Sequence, residues 1–133
     1  DVILIDSPPA LGMISINVLL AADALVVPTA ARMFDFSSTV QFFRMVRNYI
    51  GRIDPEKQYR WISVLTTLFD QRYESQKQFV EVMRECFADS VCQRVFFHSA
   101  EVINSAVRFL GPYEQVKPNR RVLEMMDAVF GEI

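Results

Sequence analysis

One carboxylate sits where a sequence can put it to work. Asp6 follows Val2-Ile3-Leu4-Ile5, an unbroken run of β-branched residues and leucine, and precedes Ser7-Pro8-Pro9. Such a run predicts a strand covered on both faces. The prolines end it, because proline has no ladder donor and pushes the residue before it out of the helical region. The strand would deliver Asp6 to its carboxyl end, the edge at which open parallel sheets bind ligands. A carboxylate there is costly to desolvate unless a cation or a hydrogen-bond donor meets it. Two chemistries fit. Asp6 either satisfies loop amides, or it holds magnesium beside a phosphate, directly or through a water. Further strand ends would bring Pro28-Thr29-Ala30, Thr66-Thr67 and Phe97-His98-Ser99 to the same edge.

The basic residues offer a second chemistry. Lys117, Arg120 and Arg121 cluster at the start of the last expected helix. Cations are slightly unfavourable at a helix N-terminus, so the cluster reads either as a solvated end or as a contact for DNA phosphates. Arg44, Arg47 and Arg52 form a weaker patch that reads as a solvent face. His98 reads as a loop histidine, Cys86 and Cys92 as core, and Trp61 with the eleven phenylalanines as core and interface. Two cysteines and one histidine exclude a His/Cys zinc site and a disulfide framework.

The elements that must position these groups follow from periodicity. Helical spacing predicts a helix over Met13–Ala22. Ala24–Val27 reads as a buried strand stopped by Pro28. A helix capped by Asp35, Ser37 or Ser38 is expected to run to Ile50, broken by Gly51 and Asp54-Pro55. Arg60–Thr66 reads as a strand and Glu74–Phe87 as a helix with Phe79, Val82, Met83, Cys86 and Phe87 on one stripe. Val91–Phe97 follows as a shorter strand, Ala100–Leu110 as a helix stopped by Gly111-Pro112, and Val122, Met126, Val129 and Phe130 mark a last helix. Each gap between strands is long enough for a parallel crossover. The expected fold is α/β: a parallel sheet flanked by helices, like that of P-loop nucleotide hydrolases and incomplete at its N-terminus.

Composition bounds the rest. The chain has 133 residues, 51% hydrophobic and 23% charged, with 14 Lys+Arg against 16 Asp+Glu. It can bury a core, and residues 1–133 read as a single domain. A net charge of −2 excludes a bulk polycationic nucleic-acid binder and leaves room for a local basic patch. No apolar run reaches membrane-spanning length and no signal peptide opens the sequence. A buried strand as the very first element predicts that an N-terminal portion is missing.

Asp1 to Gly12 (D-V-I-L-I-D-S-P-P-A-L-G) closely resembles the Walker B and switch II segment of ParA/MinD-type ATPases, which carry a deviant Walker A motif. Ser15–Asp23 resembles the family's following helix, Ala24–Pro28 its next strand, Val64–Asp70 its strand and turn near the adenine, and Pro118–Arg121 with the helix after it the family's C-terminal end. The likeness is strong over the first thirty or so residues and patchy beyond. It implies that Asp6 is the Walker B aspartate that orders magnesium-bound water, and that Ser7, Pro8 and Pro9 begin the switch sensing the γ-phosphate. It places Thr66 and Thr67 at the nucleotide, and Lys117, Arg120 and Arg121 at DNA. It further implies Mg2+ and ATP as cofactors, an ATP-induced homodimer, a ParB-like centromere-binding partner, DNA bound without sequence preference, and a cytoplasmic, nucleoid-associated life in bacteria.

The departures are as informative. The family's Gly-rich phosphate loop, with its lysines and magnesium-binding threonine, is absent; Gly12, Gly51, Gly111 and Gly131 do not cluster. By itself the chain is therefore expected to be inactive as an ATPase and to hold no cofactor, as a fragment of a full enzyme. The segment Val95–Glu101 lacks the proline-containing stretch of chromosomal relatives, which leans the resemblance toward the plasmid-borne branch. Glu124, Asp127 and Glu132 on the last helix disfavour the membrane-binding helix of the MinD branch. The alternatives are a nucleotide-free module that dimerises through the Met13–Ala22 helix, and a deviant-Walker regulator without DNA binding. Deprived of a neighbouring strand, Val2–Ile5 would be an exposed apolar edge and a site of self-association.

Overall fold

A computed structural model describes residues 1–8 and 12–133. Pro9 lies outside the described residues. The elements in chain order are α1 (Met13–Ala21), β1 (Leu25–Ala30), α2 (Met33–Ile53), β2 (Ile62–Thr67), α3 (Glu74–Phe87), α4 (Ala100–Val107) and α5 (Arg120–Phe130). Single turns of 3-10 helix at Ala88–Ser90 and Pro112–Glu114 follow α3 and α4. The architecture is α/β. β1 and β2 pair in parallel, Leu25 opposite Ile62 through Ala30 opposite Thr67, and α2 makes the crossover between them.

Pro28 does not stop β1; it sits inside the strand, opposite Leu65. The amides of Leu25 and Ala31 donate to Trp61 O and Thr67 O. Residues alternate sides along a strand, so the odd-numbered residues bond to β2. Pro28 faces the other way, where no donor is required of it.

The expected strand over Val91–Phe97 is present only as two parallel bridges, Val64 with Val91 and Phe69 with Phe97. Its ladder is bulged. Cys92 N–H reaches Val64 O at 3.0 Å and Phe96 N–H reaches Thr66 O at 2.8 Å, so four residues span what two span on β2. Glu132, just past α5, fills the gap. Its carboxylate accepts from the amide of Gln93 and from that of Arg94 at 2.8 Å.

Packing covers both faces of β2. Val64 joins Phe69, Phe79, Val80, Met83, Val91 and Ala31, with Phe36 and Phe43 of α2 packed against them. Leu65 points the other way, into Cys92 and Val129, with Phe96 and Ile133 alongside. α1 docks on α2 through Leu19, Val46 and Ile50. Lys57 finishes α1: its ammonium donates to the carbonyls of Leu20 (2.7 Å) and Ala22 (2.8 Å), the cation that a helix C-terminus favours.

Several expectations are corrected. Val2–Ile5 forms no ladder among the described residues, and Val2, Ile3 and Leu4 are 85–90% exposed. A β-branched run gains strand structure only against a partner edge. α2 starts at Met33 after Arg32 with no side-chain cap, so Asp35, Ser37 and Ser38 lie inside it, and it runs through Gly51 to Ile53. The Ser38 and Thr39 hydroxyls donate instead to the carbonyls of Phe34 and Asp35. Cys86 is exposed rather than core, whereas Cys92 is buried as expected. Trp61 is also exposed, at the start of β2.

Candidate functional site

The carboxyl edge of the sheet is built from three turns. After β1, Ala31 is buried, its amide tied to Thr67 O at 3.1 Å, and Arg32 pairs with Asp35 at 2.7 Å. After β2, Leu68 takes a left-handed conformation, φ 52°, with half its surface exposed. A non-glycine residue held there carries strain of about 1–3 kcal/mol, and such strain gathers at functional edges. The turn brings Phe69 back into pairing. Its amide donates to Phe96 O at 3.1 Å, its carbonyl accepts from His98 N–H at 2.9 Å, and its ring meets Phe97 edge-on at 5.6 Å.

Asp70 then turns to Arg72. The guanidinium reaches both carboxylate oxygens, with Nη2 to Oδ2 at 2.6 Å and Nε to Oδ1 at 2.9 Å, and the Arg72 amide donates to Oδ1 at 3.0 Å. The Asp70 amide donates to Gln76 Oε1 at 2.6 Å, which fixes the turn to α3. The Arg72 hydrogen bonds hold the Asp70 carboxyl down at about 2, from an ordinary 3.8. Arg72 remains exposed, a fixed cation at the mouth of the edge.

Of the residues expected at a nucleotide, Asp6, Ser7 and Pro8 lie in the exposed N-terminal stretch. Pro8 is tied to the body by Ser15 Oγ, which donates to its carbonyl at 3.3 Å. Thr66 is wholly enclosed, and its hydroxyl finds no partner among the described residues. Thr67 is the one of the pair that reaches the edge. Among the described residues no hydrogen bond or ion pair joins Asp6 to Thr66 or Thr67. A magnesium ion keeps several waters and takes one or two carboxylates besides phosphate oxygens. Asp6 supplies one such carboxylate. No group of three or more His, Cys, Asp or Glu gathers among the described residues, so the chain offers a ligand and not a cage.

Arg120 and Arg121 open α5, and Lys117 precedes it. Asn119 caps the helix by accepting from the amides of Arg121 (3.1 Å) and Val122 (3.4 Å). Lys117, Arg120 and Arg121 are all exposed. Arg120 pairs with Glu124 at 2.8 Å; the side chains of Lys117 and Arg121 have no ion-pair partner among the described residues. A cavity of about 340 Å³ opens beside them, lined by Glu101, Asn104, Arg108, Gln115 and Lys117 among others. Tyr113 ties this loop to α5 through Asp127 at 2.5 Å, and that bond raises the Tyr113 phenol above its ordinary value. Sequence reasoning missed Arg72, Arg108, Lys57 and Glu132 as positioned charges. The D-x-R spacing of Asp70 and Arg72 was the available signal for the first; the others depend on contacts distant in sequence.

The family model described as "AAA domain" matches residues 1–59, which include Asp6. Protein SopA of Escherichia coli (strain K12) is 36% identical over 121 residues, 90% of this chain and 31% of SopA. Chromosome partitioning protein ParA of Caulobacter vibrioides is 29% identical over 100 residues, 75% of this chain and 37% of that protein. Sporulation initiation inhibitor protein Soj of Bacillus subtilis is 30% identical over 95 residues, 71% of this chain and 37% of that protein. The match over residues 1–59 and these relatives support a ParA-type partition-protein family for this chain. The chain spans about a third of the length of the curated relatives it matches. The structure shows an α/β arrangement in which the parallel pair β1–β2 carries helices on both faces of β2. No helix among the described residues is long and apolar enough to cross a membrane.

Proposed function

We propose that this chain works as the C-terminal portion of a ParA-like partition ATPase. When complete, the protein uses Mg-ATP-driven dimerisation and DNA binding to segregate plasmid or chromosomal DNA. The observation that carries this reading is the family match over residues 1–59, which takes in the V-I-L-I-D-S-P-P stretch around Asp6. In the complete protein Asp6 holds magnesium through a water. Ser7, Pro8, Pro9, Thr66 and Thr67 border the nucleotide, and Lys117, Arg120 and Arg121 meet DNA phosphates. Partners are a ParB-like centromere-binding protein, DNA without sequence preference, and a second copy. The protein acts in the bacterial cytoplasm at the nucleoid. The chain alone is inactive, since backbone amides and a lysine that cradle phosphates come from elsewhere in the protein.

Two measurements on the complete protein test this. Asp6→Ala should abolish ATP hydrolysis, and an unchanged rate refutes the role of Asp6. A gel shift with duplex DNA should weaken steeply with salt. Hydrolysis without any DNA shift would place the protein with deviant-Walker regulators that do not bind DNA.

A further inference from the structure

The bulged Val91–Phe97 edge turns two amides away from the ladder. Cys92 N–H reaches Val64 O at 3.0 Å and Phe96 N–H reaches Thr66 O at 2.8 Å, and between them the chain bends at Gln93 and Arg94. Successive backbone N–H groups aimed at one point form a concave, partly positive nest, a shape that binds anions. Here the anion is the protein's own. Both amides donate to the Glu132 carboxylate, that of Arg94 at 2.8 Å. Gln93, Arg94 and Glu132 are all exposed, so water competes for each of these bonds. Exposed contacts of this kind belong to the easily opened end of a structure.

The segment that carries the plug is short. α5 ends at Phe130, Gly131 closes it, and Glu132 and Ile133 follow. Ile133 and Phe96 pack against the cluster of Leu65, Cys92 and Val129. The occupant of the nest is thus an acid followed by an aliphatic residue.

A cavity of about 250 Å³ borders the same bend on its α3 side. Phe69, Val80 and Val95 give it an apolar floor, and Lys77, Glu81 and Arg84 stand around it with Gln93. Arg84 Nη2 donates to Gln93 O at 2.9 Å, so Gln93 is held by a cation on its carbonyl and by an anion on its amide. Net charge does not choose what binds here: Lys77 is paired with Glu74 at 2.9 Å, and Glu81 offsets Arg84. The amide pair chooses, because it is a directed donor set that already holds a carboxylate. Backbone nests capture carboxylates of polypeptides by the same geometry.

We propose that the Gln93–Arg94 bend is a recognition site for an acidic segment of a partner polypeptide, kept closed by Glu132. The partner's carboxylate takes the two amides in place of Glu132, and an aliphatic side chain beside it enters the cavity next to Gln93. Glu132-Ile133 is the chain's own example of that ligand. One carboxylate replaces another, so the amide bonds are conserved and the apolar contact in the cavity tips the exchange. The site is separate from the nucleotide and DNA readings and does not depend on them.

The probe is a peptide with the sequence of residues 128–133, Ala-Val-Phe-Gly-Glu-Ile, amidated and carrying a fluorophore at its N-terminus, so that it holds a single carboxylate. Its affinity for the complete protein is read by fluorescence anisotropy. Glu132→Ala vacates the nest, and the peptide should bind this variant about tenfold more tightly than the unaltered protein, in which the plug competes. Glu132→Gln keeps one acceptor and should fall between the two. The same peptide with Gln in place of its Glu should bind none of the three. Arg84→Ala, which frees the Gln93 carbonyl, should weaken binding to the Glu132→Ala variant. Hydrogen exchange at the Gln93 and Arg94 amides should be faster in Glu132→Ala and slow again when the peptide is added. A Glu132 that only caps the bend would leave every variant without peptide binding, and that result overturns the proposal. Equal affinity for the unaltered protein and Glu132→Ala, or binding indifferent to the peptide's carboxylate, overturns it as well. Protection at Leu65 and Cys92 in place of Gln93 and Arg94 would seat the peptide where the end of α5 packs, and that too overturns it.

Discussion

β2 and the Val2–Ile5 stretch both read as strands in the sequence and have opposite fates. Ile62-Ser63-Val64-Leu65-Thr66-Thr67 contains two polar threonines and a serine, yet Val64 and Thr66 are completely buried. Val2-Ile3-Leu4-Ile5 is wholly apolar, yet it lies in water without a ladder. The difference is neighbours. β2 is bonded to β1 on one side and to the Val91–Phe97 edge on the other, with α3 and α5 over its faces. The N-terminal run has none of these among the described residues. Strand propensity is a statement about packing surfaces rather than about the backbone alone.

The sharpest way to break that comparison is truncation in each region. Phe79→Ala, in the cluster around Val64, should lose about 3–5 kcal/mol in urea unfolding, while Leu4→Ala should stay within about 0.5 kcal/mol. Equal costs would mean that the exposed run packs in solution. Self-association is the next effect. Sedimentation at rising concentration should show the chain associating, and Leu4→Lys should reduce that association by placing a charge on the apolar run. A concentration-independent monomer would contradict it.

Glu132→Gln sharpens the account of the bulged edge. It weakens the two bonds to the Gln93 and Arg94 amides, and should cost about 1 kcal/mol with faster hydrogen exchange at those two amides. Asn119→Ala should cost about 1 kcal/mol by uncapping α5. The smallest effect is at Asp70. Its carboxyl is depressed by Arg72, so the stabilisation is complete above the ordinary value of 3.8 and lost as pH falls through about 2. Arg72→Ala should move the Asp70 titration, followed by NMR, up toward 3.8, and the stability gap between the two proteins should close across that acid window.

Much of the fold was legible because its signals are local. α3 begins and ends at the expected residues, and α5 begins where Pro118-Asn119 announces it. α1 differs from expectation by one residue. The errors arose where a local rule met a non-local fact. Pro28 ends a strand in a generic sheet, but not on the side of β1 that faces away from β2. Val91–Phe97 carries strand propensity, but its course is met by Glu132 and by Met125, whose thioether Sδ accepts from the Phe97 amide at 3.2 Å. Cys86 fell on the apolar stripe of α3 by spacing, yet that stripe is narrower than its sequence pattern and leaves Cys86 in water.

The candidate site divides in the same way. The place of Thr66 and Thr67 on a strand and of Arg120 and Arg121 at the start of a helix was readable, because strand and helix positions are properties of consecutive residues. The Glu132 contact with the Gln93 and Arg94 amides, the Asp70–Arg72 fork and the Lys57 cap were not, because each depends on backbone torsions or on residues brought together by the fold. The sequence by itself determined the five helices and the two strands between α1 and α3. Only the tertiary structure decided which apolar run is buried and which charges are held, since burial and ion pairing are relations between segments and no single segment contains them.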